Sequence, residues 1–162
     1  MTNTQDGGEL HRRCEEIIRS LPVRYPFELN AFLCAVGMQQ GIPIELWRMN
    51  HVRSTRTGQL LRTYLRNYVF VVRRTTAWHA RHIAFHEVAH LLLGHPSERI
   101  CVTSPRSSVR GTEEEHAEYF AYLLSDYVRA GERAHRRRVT GARRQLLSAF
   151  GSRRHLSFGC CA

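Results

Sequence analysis

Apolar residues recur at intervals of three and four over the first forty positions. Leu10, Cys14, Ile17 and either Ile18 or Leu21 predict an amphipathic helix over residues 9–20, stopped by Pro22. A second helix is expected to start at Tyr25-Pro26-Phe27 and run to about Gln40. Its inner stripe would be Phe27, Asn30, Ala31, Cys34, Ala35 and Met38, and Gly41 would end it. The pattern then changes to short β-favouring runs at 42–49, 60–65 and 68–72, expected to pair as a small, mainly antiparallel sheet. Helical periodicity returns after Thr75 or Thr76, either of which can cap a helix ending at Gly94, just before Pro96. A loop is expected from His95 to Gly111. Thr112 and Glu115 then form a capping box for a last helix, with Ala117, Phe120, Ala121, Leu124 and Val128 facing inward.

The helix before Gly94 is where this pattern turns chemical. From Ile83 to Leu93 it is apolar on all sides except at His86, Glu87 and His90. Such a helix is buried, and polar groups on it are costly unless something satisfies them. His86 and His90 are four apart, on one face, where two imidazoles can grip a metal ion. Glu87 is rotated about 100° from His86, placed to hold a water on that metal without binding it. This is H-E-x-x-H, two zinc ligands and a general base. The alternative is a pair of core histidines bonded to backbone, with Glu87 in an ion pair.

A catalytic zinc takes three protein ligands and keeps an open position. On the last helix Glu114, Ala117, Glu118 and Ala121 share one stripe, so Glu114 can supply the third ligand. Glu118, one turn later, can hydrogen-bond a ligating histidine and fix its tautomer. His82, four before His86, is a possible substitute ligand, though it reads more simply as an exposed first-turn histidine. Ala89 is small enough to let another element approach the metal. Tyr119, Tyr122, His95 and Arg110 are candidates for oxyanion stabilisation.

Composition narrows the setting. A chain of 162 residues is one ordinary domain, and 43% hydrophobic with 23% charged residues is usual for a globular protein. No signal peptide or membrane span is visible, so a cytoplasmic location is expected. Five irregularly spaced cysteines (Cys14, Cys34, Cys101, Cys160 and Cys161) argue for reduced thiols rather than a disulfide framework. The formal charge is +10, and every basic residue other than histidine is arginine. Arginines crowd the C-terminal segment, from Arg129 to Arg154. That segment reads first as a solvated helix face, and second as a surface for nucleic acid or an acidic partner.

The run His-Glu-Val-Ala-His-Leu-Leu-Leu-Gly-His at 86–95, followed by Glu114-Glu115-His116-Ala117-Glu118-Tyr119-Phe120-Ala121, resembles the ImmA/IrrE family of bacterial and phage metallo-endopeptidases. The resemblance spans roughly residues 9–125, and its two helical motifs carry it. Ala89 stands where the family usually has Gly, Glu118 where Asn or Asp is common, and Leu124-Ser125-Asp126 in place of a Met-Pro pair. The resemblance implies a compact zincin-like α+β domain with zinc on His86, His90 and Glu114 and with Glu87 as base. It also implies a helix-turn-helix repressor as substrate, or a part in a toxin–antitoxin pair. We therefore expect a metallopeptidase domain over 9–130 and a basic helical extension with a flexible tail over 131–162. The substrate is expected to lie extended along the edge of the 68–72 strand. The competing expectation is a non-catalytic, metal-containing interaction module.

Overall fold

The computed structural model describes residues 4–50, 58–96 and 108–151, with side chains from 7–50, 58–96 and 111–149. Four helices and one three-stranded sheet make an α+β fold. In chain order they are α1 (Thr4–Ser20), α2 (Leu29–Gln40), β1 (Ile44–Met49), β2 (Gly58–Arg62), β3 (Asn67–Val72), α3 (Ala77–Leu92) and α4 (Ser108–Gly151).

The sheet order is β1-β3-β2, with β1 parallel and β2 antiparallel to β3. The sheet is thus mixed rather than mainly antiparallel. Only the tight β2–β3 connection makes a hairpin, whereas the chain after β1 passes to the far side of β3 before pairing. Val69 and Val71 of β3 are fully buried, as befits a strand paired on both sides. The expected substrate path along an edge at 68–72 is therefore overturned: β3 is central, and β1 and β2 are the edges among the described residues.

Helix α2 begins at Leu29, three residues after Pro26, because Glu28 is still extended (φ −126°, ψ 120°). Its buried residues are Phe32, Leu33, Val36 and Gly37. Of the expected stripe, Asn30, Ala31 and Cys34 are exposed and Met38 is 79% exposed. Phe27 lies outside the helix, so counting helical periods from it turned the stripe to the wrong side. Phe27, Phe32 and Phe85 instead meet as an aromatic trio, with centroids 5.6–5.9 Å apart, that seats α2 on α3. Gly37 permits the close turn into β1: a Cβ there would stand 2.7 Å from the Ile44 nitrogen.

Helix α3 runs through the core, burying Ala80, Ile83, Ala84, Phe85, Val88 and Ala89. The Thr76 hydroxyl accepts from the His79 N–H and caps its start. α4 packs against α3 through its first half, where Ala117, Phe120, Ala121, Leu124 and Val128 are fully buried as expected. It begins at Ser108, however, so Thr112 lies inside the helix and is not its cap. The expected boundary at 130 falls within this unbroken helix, just beyond its last fully buried residue, Val128. Residues 97–107 of the expected loop and the tail from 152 lie outside the described residues, as do Cys101, Cys160 and Cys161. Cys14 and Cys34 are free thiols. No helix among the described residues is long and apolar enough to cross a membrane.

Candidate metal centre

Two side chains of α3 and one of α4 converge where the helices pack. His86 Nε2 lies 3.2 Å from His90 Nε2 and 3.2 Å from Glu114 Oε2, and His90 Nε2 lies 3.9 Å from the same oxygen. A point about 2.0 Å from all three atoms lies inside that triangle, the bond length zinc takes with imidazole and carboxylate. His86, His90 and Glu114 are the one group of three or more ligating side chains among the described residues that can hold a metal ion. The donor set of two imidazoles and a carboxylate fits zinc, and the spacing found in the sequence is the spacing the fold uses.

The histidines are oriented from behind. Glu118 Oε2 is 3.1 Å from His86 Nδ1. A proton held on Nδ1 by that carboxylate leaves the Nε2 lone pair free to face the triangle. The other oxygen of Glu118 is 3.1 Å from His82 Nε2. Burial works to raise the Glu118 carboxyl, but its bonds and charge interactions with His82 and His86 outweigh it and hold its pKa below the ordinary glutamate value. His82 is thus neither ligand nor exposed: its ring bonds Glu118 and is flanked by Trp78 and Tyr122, with centroids at 6.1 and 5.0 Å.

His90 is held by groups the sequence did not single out for this role. Gly94 takes a left-handed conformation (φ 75°). The His95 N–H bonds the His90 carbonyl at 3.0 Å and the Gly94 N–H that of Leu91 at 3.3 Å. This helix stop folds the chain back, bringing His95 Nδ1 to 3.0 Å from His90 Nδ1. Burial pushes the His95 pKa down, favouring a neutral ring that bonds His90 through one nitrogen. Arg62, from β2, donates to the His90 carbonyl at 2.7 Å, and Arg13, from α1, to that of Leu93 at 3.1 Å. Both cations face the negative end of the α3 dipole. Burial lowers the Arg62 pKa as well.

Glu87 projects from α3 toward β2. A Cβ on Gly58 would stand 2.3 Å from Ile83 Cγ2 and 2.8 Å from Glu87 Oε1. Only the absence of a side chain at 58 lets the edge strand lie against the carboxylate. Gly58 opens β2, two residues before the β run expected at 60–65, and the sequence offered no signal for its role. Ala89 is fully buried, as a small residue between packed elements should be. Of the oxyanion candidates, the Tyr119 hydroxyl bonds His11 Nδ1 at 2.7 Å, Tyr122 packs on His82 and His95 supports His90. The Arg110 side chain lies outside the described residues. Comparison with protein-family models, curated proteins and solved structures finds no match to this chain.

Proposed function

We propose that the chain is a zinc-dependent endopeptidase of the cytoplasm whose substrate is a protein, a helix-turn-helix repressor by the resemblance to ImmA/IrrE proteins. The observation that carries this reading is the convergence of His86, His90 and Glu114, with a further carboxylate, Glu87, at the adjacent position on α3. A purely structural zinc site is closed by four protein ligands. Three converge here among the described residues, and Glu87 follows His86 directly on α3.

Zinc bound there would polarise the scissile carbonyl and make a water acidic enough to attack it. The remaining work falls to the chain's own side chains. Glu118 and His95 hold the two imidazoles in place. Glu87 takes the proton from the attacking water and passes it to the leaving amine. The extended substrate pairs with the outer edge of β2, the strand whose Gly58 abuts Glu87, and this replaces the path along β3.

Glu87→Gln separates catalysis from binding. Gln keeps the size of the side chain and can still hydrogen-bond a water, but it cannot accept a proton. The variant should bind metal like the wild type while peptide cleavage falls by roughly 10²–10⁴. It should also co-purify with uncleaved repressor. Full activity in the variant would remove Glu87 from the mechanism. Repressor inactivation by both forms without a cleavage product would point to the non-catalytic module instead.

A further inference from the structure

Charge in this chain is segregated. The last acidic residue is Glu132; the remaining 30 positions carry eight of the 24 arginines and none of the 14 acidic residues. In the structure residues 133–151 continue α4 past the core, and most side chains described there are exposed. Arg133, Arg136, Arg137, Arg138, Arg143 and Arg144 are all exposed, and among the described residues no acidic side chain pairs with them.

The arginines are also ordered along the helix. Arg133, Arg136, Arg137 and Arg144, with Thr140 and Gly141, fall at i, i+3, i+4, i+11, i+7 and i+8, a single stripe. They line a groove of 430 Å³. Glycine inside a helix is destabilising relative to alanine, so one there asks for a reason. Gly131 has a packing reason, since a Cβ there would stand 1.8 Å from the Tyr25 hydroxyl. Gly141 has none: nothing lies within 4 Å of its Cβ position. Its missing side chain opens the floor of the groove between Arg137 and Arg144.

We propose that this arginine-lined half of α4 is a docking surface for duplex DNA, gripping the phosphate backbone without reading sequence. Guanidinium groups bind phosphate oxygens in bidentate fashion, and an exposed helix of this width enters the major groove of B-form DNA. The deep, narrow major groove of A-form RNA does not admit it. An anionic membrane fits less well. The described part of this half offers Val139, Leu146 and Leu147 as its large exposed apolar side chains, with no aromatic among them, and Leu147 lies on the arginine side. That is a narrow apolar face for an interfacial helix. The inference does not rest on the metal site.

The test uses the full-length chain and fluorescence anisotropy with a mixed-sequence duplex of about 20 base pairs, across roughly 0.05–0.3 M salt. Binding is expected with a log–log salt slope of about −3 to −4, for the four stripe arginines at about 0.9 each. Arg136→Gln/Arg137→Gln/Arg144→Gln should flatten the slope by roughly 2 to 3 and weaken binding about 10²-fold near 0.1 M salt. Arg24→Gln/Arg48→Gln/Arg73→Gln removes the same charge from exposed positions on the body and should leave the affinity within about threefold, since it takes away no phosphate contact. The proposal is overturned by absent or salt-insensitive duplex binding, by a stripe variant that binds like wild type, or by a body variant that loses as much. Capture by phosphatidylserine vesicles without duplex binding would overturn it too, and would make the stripe a membrane surface.

Discussion

At the scale of single residues, the metal centre is a set of atoms with one job each. Three can offer a lone pair to a bound ion, and each should then be indispensable. His86→Ala, His90→Ala and Glu114→Ala are expected to lose most bound metal by elemental analysis. Glu113→Ala and Glu115→Ala, which change neighbours in the same acidic run, should keep it. Glu118→Ala should retain the site with metal affinity weakened about 10- to 100-fold, the usual cost of removing a partner that orients a ligand; competitive chelator titration measures this. An unchanged affinity would reduce the Glu118–His86 contact to surface chemistry. The ligands were legible because a helix fixes which residues share a face: 86 and 90 on one helix, 114 and 118 on another. The support of His90 was less legible. His95 reaches it only because Gly94 reverses the chain, and Arg62 comes from a strand 28 residues earlier.

At the scale of elements, the placement of Glu87 depends on how closely α3 lies on β2. Gly58→Ala adds a methyl group where Ile83 and Glu87 already stand. Crowding of this kind costs about 1–3 kcal/mol, so chemical denaturation should show a loss of that order. The displaced carboxylate should also slow cleavage while metal content is unchanged. If the variant is as stable and as active as wild type, the strand has room to retreat and the close approach is incidental. Elements show most clearly where sequence reasoning holds and where it fails. Helix α4 announced its inner face because its apolar residues at helical spacing lie wholly inside the helix, and α3 announced its burial by being apolar nearly all round. For α2 the run was counted from Phe27, which is outside it. Strand existence was readable from β-branched and aromatic runs, but strand neighbours were not. Pairing order depends on how the chain travels between strands, which local residues do not encode.

At the scale of the whole molecule, a metal held by His86, His90 and Glu114 would join two helices otherwise held by packing. Removing it should cost the binding free energy it contributes to folding. With free metal at 100 times its Kd that is about 2.7 kcal/mol, or roughly 5–10 °C in Tm for a chain of this size. Calorimetry with and without chelator should show that difference in wild type and none in His86→Ala. A wild-type chain indifferent to chelator would mean that α3 and α4 do not need the ion to stay together. The joined body carries little net charge of its own, because most of the +10 sits beyond it on α4.

The unbroken course of α4 also makes it a measuring rod. Glu114 and Arg144 are 30 residues apart on one helix, about 45 Å at 1.5 Å per residue. That standoff exceeds one full turn of DNA, about 34 Å. A chain gripping a duplex at the far end of the rod would hold its metal centre clear of that surface. A peptide lying flat on the DNA beneath the arginines would be out of reach. A segment on the outer side of a bound protein, or on a protein seated a turn further along, would be within range.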